Sequence, residues 1–205
     1  NKADQGDIIP KKGFYVNGDV GYQYRDIAGE TGDTVTHFES GYSGSLGTGY
    51  RFNKNFRVSA EFNNMSNDVD TVSSPASSGQ ALEGEGKVKL QQYTLNAYYD
   101  VDGFGDRKQY RPYVGIGVGT QKSIIEDLTN VGAKPFGLIV NAETWAPLTQ
   151  FKGGLNISAS ESTEYYIGGS YIHGSELLFR NTAFGDLLPL GSRTWLLHTG
   201  VRYTF

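Results

Sequence analysis

The chain has no cysteine and no long apolar run, and these two absences narrow the kinds of protein it can be. Without cysteine there are no disulfides and no thiolate metal ligands, although cytosolic and exported proteins can both lack this residue. The apolar stretches, such as LIV and LLF, fall far short of the roughly 18 residues that a membrane-spanning helix needs. The sequence therefore excludes a helical membrane span.

Charges of the two signs nearly balance. The formal net charge is only −4 and no cluster of lysine or arginine stands out, so we expect no nucleic-acid partner. The first residues, NKADQGDIIPKKG, lack the charged and then apolar layout of a signal peptide. This start fits either a chain that is not exported or one whose signal peptide has been removed.

Glycine and aromatic residues are abundant. The chain has 28 Gly, 14 Tyr and 11 Phe but only 38% hydrophobic residues, a composition that favours short strands and turns over helices. A length of 205 residues suits one all-β domain, so residues 1–205 are predicted to form a single domain.

Apolar and polar residues alternate in eight segments. In GFYVNGDVGYQY, one parity is apolar and the other carries Tyr15, Asn17, Asp19 and Gln23, which is the period of a strand with two different faces. The same period occurs in GYSGSLGTGYRF, FRVSAEF, QYTLNAYYDV, PYVGIGVG, FKGGLNISA, YYIGGSYI and TWLLHTGVRYTF. We therefore predict eight strands.

The links between these segments alternate in length. Short turns lie at NKN, DGFGDRKQYR and SEST, and long links are predicted at 25–39, 64–87, 121–148 and 174–193. This layout is typical of an all-β, eight-stranded antiparallel up-and-down transmembrane β-barrel with four long external loops. An even strand number places both termini at the short-turn end.

The orientation of the two faces separates a membrane barrel from a soluble one. A lipocalin-like barrel would point its apolar face inward. Here the polar face carries charges of both signs between Gly and Ser, which suits a paired network in a narrow lumen, and aromatics gather at strand ends as in interface girdles. We predict that Tyr22, Phe52, Tyr99 and Phe205 face lipid, and that the lumen network comprises Asp19, Arg51, Arg57, Glu61, Asp100, Lys152 and Arg202.

The last strand, HTGVRYTF, ends on Phe205 and resembles the C-terminal signal of bacterial outer-membrane proteins. With YRPYVGIGVG and GYRF, it makes nearly the whole chain similar to small eight-stranded outer-membrane barrels: the OmpA transmembrane domain, OmpX, neisserial surface protein A and opacity-like surface antigens. The resemblance implies a bacterial outer-membrane location, contact with outer-membrane lipid and lipopolysaccharide, and recognition of Phe205 by the assembly machinery. It also implies a non-enzymatic role in adhesion, surface interaction or envelope integrity.

Two other functions remain open from the sequence: a small pore or transporter, and a lipid A-modifying enzyme. His173 and Ser175 in YIHGSE resemble the His-x-Ser pair of lipid A deacylases, which activate a serine through histidine. Glu176 stands where those enzymes usually have Asn, and no Glu follows at the expected distance. We favour a strand-end histidine at the membrane interface and expect no catalytic residues.

The segment DVDGFGD has the carboxylate spacing of a calcium loop, but Arg111 stands where the closing glutamate should be. An Asp-Gly turn is the better interpretation. His37, His173 and His198 are too scattered to indicate a zinc site. We therefore expect neither a metal nor a cofactor.

The four predicted loops differ in character. The first two are polar and acidic, whereas the third and fourth are rich in apolar residues, which usually mark a binding surface but can also pack on one another. Contact with a host or surface ligand and self-packing are equally compatible with this pattern. The predicted apolar contact surface comprises Ile124, Ile125, Phe136, Trp145, Leu178, Phe179, Phe184, Leu187 and Leu188.

Overall fold

A computed structural model describes residues 6–26, 41–69, 84–130, 142–180 and 187–205. Each strand pairs antiparallel with the next, and the last returns to the first, which closes the barrel and confirms the predicted fold. No helix in the described ranges is long and apolar enough to cross a membrane. The strands are β1 (Gly13–Asp26), β2 (Gly41–Arg51), β3 (Phe56–Val69), β4 (Gly84–Asp100), β5 (Tyr110–Asn130), β6 (Ala142–Ser158), β7 (Thr163–Arg180) and β8 (Leu187–Thr204).

The alternation of apolar and polar residues in the sequence corresponds to the outer and inner faces of the barrel. On β1, Tyr15 and Gln23 are fully buried in the lumen, whereas Phe14 and Val20 are 67% and 65% exposed on the outer surface. Since successive strand residues point to opposite faces, the same division holds around the barrel. The apolar face is the outer one. Tyr22, Phe52, Tyr99 and Phe205, predicted to face lipid, are all exposed there.

Exposed aromatic rings form two belts on the outer surface. At the short-turn end, the ring centroids of Tyr50 and Phe52 are 5.0 Å apart and those of Tyr203 and Phe205 are 5.4 Å apart. At the loop end, Tyr171 contacts Trp195, and Tyr93 stacks on Trp145 with centroids 6.1 Å apart. Such belts mark the two interfaces of a membrane on a transmembrane barrel.

The predicted boundaries of three long links are wrong. The link predicted at 64–87 is shorter than expected, because β3 continues to Val69 and β4 begins at Gly84. Most of 121–148 is strand, since β5 ends at Asn130 and β6 begins at Ala142. Most of 174–193 is also strand, in β7 and β8. Backbone pairing continues into segments such as KSIIEDL and ELLF, where apolar and polar residues no longer alternate regularly, so the pattern of hydrophobicity does not reveal the strand there.

The extended strands do not all stay paired at the loop end. The pairing of β6 with β7 stops at Leu148 and Gly174, although both strands run further. Beyond that point β6 remains paired with β5, and β7 remains paired with β8. The β7–β8 hairpin therefore separates from β6 at the loop end, whereas β5 and β6 remain in one sheet with β3 and β4, because β4 pairs with β5 as far as Asn130.

Residues 6–12, here called the N-terminal strap, cross the short-turn end of the barrel. The backbone N–H of Ile8 donates to the Arg107 carbonyl at 2.9 Å, and that of Lys11 donates to the Glu161 carbonyl at 2.9 Å. Ile8 is only 6% exposed. The strap thus connects the β4–β5 turn with the β6–β7 turn and lies over the mouth of the lumen.

Candidate functional site

The lumen is lined by charged side chains at the short-turn end. Arg51 ends β2 and donates through Nη1 to Oδ2 of Asp100, the last residue of β4, at 2.8 Å; Arg57 Nε also contacts that oxygen, at 3.2 Å. Glu164, near the start of β7, pairs with Arg51 and with Arg202 Nη1, the latter at 3.1 Å. We call these five residues the mouth cluster. All five are at most 3% exposed.

The mouth cluster is neutralised mainly by its own members. Three guanidinium groups share two carboxylates, and Asn156 links them by donating to Asp100 Oδ1 at 3.0 Å and accepting from Arg202 Nη1 at 3.2 Å. Burial of charges costs free energy unless they are paired and hydrogen-bonded. With Asn156, this arrangement therefore holds six strands in a fixed relation around the lumen mouth.

A second charged pair lies deeper in the lumen. Lys152 on β6 forms an ion pair with Glu61 on β3 across the barrel. Glu61 Oε1 also accepts hydrogen bonds from the Tyr98 hydroxyl at 2.6 Å and from the Ser59 hydroxyl at 2.7 Å. On the other side of the lumen, the Tyr166 hydroxyl donates to Asp19 Oδ2 at 2.8 Å.

The structure thus places all seven predicted lumen residues on the inner side. Six of them enter ion pairs with a partner of opposite charge, whereas Asp19 is held by a tyrosine hydroxyl. Sequence reasoning missed Glu164, the carboxylate that joins Arg51 to Arg202. The sequence did carry a signal for this inward position. Glu164 follows the SEST turn and lies on the strand parity opposite to that of Tyr165 and Ile167.

Inward tyrosines occupy the lumen opposite glycines. The register pairs Tyr15 with Gly49, Tyr98 with Gly115, Tyr113 with Gly154 and Tyr166 with Gly200, each across neighbouring strands. A Cβ atom at Gly115 would lie 2.5 Å from Cδ1 of Tyr98, and one at Gly49 would lie 2.4 Å from Cζ of Tyr15. Each ring therefore fills space that only glycine leaves free.

Above the tyrosines the lumen is filled by uncharged polar side chains and one histidine. Gln92 donates to Gln121 at 2.8 Å, and His198 contacts the Tyr113 hydroxyl through Nε2 at 3.2 Å and Ser170 through Nδ1 at 3.4 Å. The space enclosed between these residues and the Glu61–Lys152 pair amounts to about 10 Å³, the scale of a single water.

The loop end of the lumen holds an apolar cluster beside buried polar side chains such as Gln23 and Ser123. Five buried side chains from different strands meet there and form what we call the upper apolar layer; they are Met65, Leu90, Leu148, Ile172 and Leu196. None is more than 6% exposed. The interior is therefore filled by charge pairs at one end, by packed tyrosines and amides in the middle, and by the upper apolar layer with its polar neighbours at the other end.

The turns at the short-turn end carry two exposed ion pairs. Lys54 Nζ lies 2.9 Å from Asp102 Oδ1, and Lys108 Nζ lies 2.7 Å from Asp7 Oδ2 on the N-terminal strap. The hydrogen bonds from Lys54 and Asn55 and the Lys54 charge hold the pKa of Asp102 below its usual range. The calcium-loop spacing of DVDGFGD does not bring its carboxylates together, since Asp100 points into the lumen and Asp102 pairs with Lys54.

The predicted apolar contact surface is divided among the extended hairpins. Ile124 and Ile125 lie on β5 and Trp145 lies on β6, where its exposed ring stacks on Tyr93. The register sets Phe179 on β7 opposite Leu188 on β8. Leu178 and Leu187 lie on these same two strands, and Phe136 and Phe184 fall outside the described residues.

The pair proposed from the deacylase resemblance lies on β7. His173 is exposed on the outer surface, and Ser175 follows it where the pairing with β8 shifts register between Gly174 and Leu177. Among the described residues, no group of three or more His, Asp or Glu side chains is placed to hold a metal ion.

A closed eight-stranded barrel with an apolar exterior, two aromatic belts and a polar lumen is a transmembrane barrel of the bacterial outer membrane. The model of the outer membrane protein beta-barrel domain family matches residues 5–174, and the chain belongs to that family. This confirms both the resemblance and the outer-membrane location expected from the sequence.

Solved structures of small outer-membrane barrels share this fold. Neisserial surface protein A is 18% identical, with a TM-score of 0.65 over 94% of this chain and 97% of that one. OprG from Pseudomonas aeruginosa is 17% identical, with a TM-score of 0.60 over 97% and 99%. Ail from Yersinia pestis, in complex with the heparin analogue sucrose octasulfate, is 15% identical, with a TM-score of 0.51 over 93% and 99%. No curated protein sequence matches this chain.

Proposed function

We propose that this protein is a non-enzymatic outer-membrane scaffold whose external hairpins and loops serve adhesion, surface interaction or envelope integrity. The observation that carries the proposal is the filled lumen. Polar and apolar layers occupy it from the mouth cluster to the upper apolar layer, so the barrel offers no wide conduit and the loop end is left to meet a partner.

The alternative of a small pore or transporter needs a continuous path through the barrel. The Glu61–Lys152 pair and the tyrosine layer stand across that path, and opening it would separate buried charges from their partners. The filled lumen therefore favours a scaffold over a pore.

The alternative of a lipid A-modifying enzyme needs a serine and a histidine accessible from the membrane. The Ser170–His198 contact lies inside the lumen, where a membrane lipid cannot reach it. His173 is exposed on the outer surface, and in the sequence the following pattern carries Glu176 in place of the amide of the deacylases. These features support a non-enzymatic role.

The proposed partners bind at opposite ends of the barrel. The predicted apolar contact surface on the projecting hairpins would meet a host or surface ligand, because exposed apolar patches usually mark binding surfaces. At the short-turn end, Phe205 is exposed on the outer face, where the outer-membrane assembly machinery would recognise it. Since Ail is described with a heparin analogue, sulfated glycans are a sensible first probe for the loop end.

Attachment of bacteria tests this function. A non-adherent strain that displays the protein should bind host-cell monolayers or immobilised heparin more than the empty strain does, and the double variant Leu187→Ser/Leu188→Ser should lower that binding. A matched control replaces residues 73–80, in the acidic second loop, with a Gly-Ser linker. Equal attachment of the empty, wild-type and variant strains would contradict an adhesive role.

A further inference from the structure

One row of directly paired residues winds once around the inside of the barrel. It starts at Arg111 on β5, crosses each of the other strands, and returns to β5 at Gln121. Since residues paired across neighbouring strands point to the same face, the whole row lies on the inner side. The residues between its two ends are, in order, Asn156, Tyr166, Gly200, Asp19, Ser45, Asn63 and Gln92.

Side-chain hydrogen bonds join this row in two parts. The Tyr166 hydroxyl donates to Asp19 Oδ2 at 2.8 Å, and Gln92 Nε2 donates to Gln121 Oε1 at 2.8 Å. The first part spans β7, β8 and β1, and the second part spans β4 and β5. The row is therefore interrupted at β2 and β3.

The interruption coincides with a small cavity in the lumen. Ser45 on β2 is paired in register with Asn63 on β3. Ser45 Oγ and Asn63 Oδ1 are both buried, and neither atom has a hydrogen-bond partner in the part of the chain that the structure describes. These two side chains border a cavity of about 10 Å³, together with Asp19 and Gln92 on either side of them. A cavity of this size holds one molecule as small as water.

The groups around the cavity select its occupant. Asn63 Oδ1 and the Asp19 carboxylate accept hydrogen bonds, whereas the Ser45 hydroxyl also donates one. An anion cannot donate to the two acceptors, and a metal cation would lie beside the ammonium group of Lys152, which borders the cavity as well. A water molecule donates two hydrogen bonds and accepts others. Because directly paired side chains hold their Cβ atoms about 4.5–5.5 Å apart, one water can reach all three groups.

We propose that one ordered water binds in this cavity to Asp19, Ser45 and Asn63 and so completes the row from β7 to β5. Its role follows from the composition of β2, whose inward residues are Gly41, Ser43, Ser45, Gly47, Gly49 and Arg51. Among these described residues, only Arg51 makes a side-chain hydrogen bond to another strand. The water therefore gives β2 a second attachment to the interior, deeper than the mouth cluster. This internal site goes beyond the proposed function of the external surface.

The sign of a stability change tests the water. Leucine has nearly the shape of asparagine but lacks the amide oxygen. If Asn63 Oδ1 is bonded to a water, Asn63→Leu should shift the unfolding equilibrium toward the unfolded barrel, by about fivefold for each hydrogen bond lost. If this oxygen is unpaired, the same change should stabilise the barrel, because hydrocarbon then replaces a buried polar atom without a partner. Urea unfolding in lipid vesicles measures the shift.

Two serines of β2 provide a matched comparison. Ser45→Ala removes a hydroxyl that borders the cavity and should destabilise the barrel as Asn63→Leu does. Ser43→Ala removes a hydroxyl that is also buried without a partner among the described residues but does not border the cavity. The Ser43→Ala barrel should therefore be at least as stable as the wild type.

Solid-state NMR of the barrel in lipid bilayers observes the water directly. Magnetisation from water protons should reach the side chains of Ser45 and Asn63 in the wild type. This transfer to Asn63 should be lost in Ser45→Val, whose methyl groups fill the cavity, and should be retained in Ser43→Ala.

Three results would overturn the proposal. One is the absence of transfer from water to Asn63 in the wild type, and another is a gain in stability in both Ser45→Ala and Asn63→Leu. The third is a change in the urea midpoint when sodium is replaced by choline at equal ionic strength, which would assign the cavity to a cation.

Discussion

At the scale of single residues, the packing of the interior depends on large side chains that lie opposite glycines. Tyr98 reaches Glu61 with its hydroxyl and carries the Arg57 guanidinium 3.8 Å from its ring centre, and this position is available because Gly115 faces it. Tyr15, Tyr113 and Tyr166 follow the same rule. Glycine is therefore needed at these inner positions for space, and the tyrosine hydroxyls then connect the charged layers.

Replacing Gly115 with leucine should push the Tyr98 ring out of place and weaken its contacts with Glu61 and Arg57. Overpacking a filled interior typically costs about 1–3 kcal/mol, so the urea midpoint of unfolding in lipid vesicles should fall. Gly44→Leu is the control, since a Cβ at this outward glycine meets nothing within 4 Å. Equal midpoints for the two variants would show that the tyrosine does not need the glycine.

Glu164 offers a second test at this scale. The change Glu164→Gln leaves Arg51 and Arg202 buried with one carboxylate fewer, and breaking a buried pair in this way costs about 3–5 kcal/mol. Asp102→Asn removes a carboxylate from an exposed pair with Lys54 and should change stability little. Unfolding measured by tyrosine fluorescence would compare them, and a Glu164→Gln barrel as stable as Asp102→Asn would contradict the structural role of the mouth cluster.

At the scale of elements, the sequence predicted the strands better than their ends. Alternation of Phe14, Val16 and Val20 with Tyr15 and Asn17 shows which face is apolar, because the two faces of a strand meet different surroundings. Alternation cannot show where β5 ends, since beyond the membrane both of its faces are polar or mixed. Nor can local sequence pair Arg51 with Glu164, because closure of the barrel brings β2 and β7 together across the lumen.

The N-terminal strap is an element that the sequence did not predict, and it provides a test of how the lumen mouth is covered. Ile8→Ser should release the strap, because burying an aliphatic side chain contributes about 1.5–3 kcal/mol. The neighbouring Ile9 is 51% exposed, so Ile9→Ser is the control.

Amide hydrogen exchange at Ile8 and Lys11 reports on the strap, since both N–H groups are bonded to turn carbonyls. We expect faster exchange in Ile8→Ser and unchanged exchange in Ile9→Ser, with strands β1 to β8 protected in both. Similar exchange in the two variants would mean that Ile8 does not hold the strap in place.

At the scale of the whole molecule, the layers of the interior act together. The N-terminal strap and mouth cluster close the short-turn end, tyrosines and amides fill the middle, and the upper apolar layer seals the loop end. An eight-stranded barrel has an interior just wide enough for side chains, and here those side chains are paired with one another. We therefore propose that the function of the molecule lies on its outer surface and external end.

Conductance of the purified barrel in planar lipid bilayers tests this central claim most directly. A lumen filled by paired charges and hydrocarbon should give no stable single-channel steps over a range of voltages, and the strap variant Ile8→Ser should remain equally silent because the deeper layers still close the path. Large, stable steps in the wild-type protein would contradict the account and favour a pore.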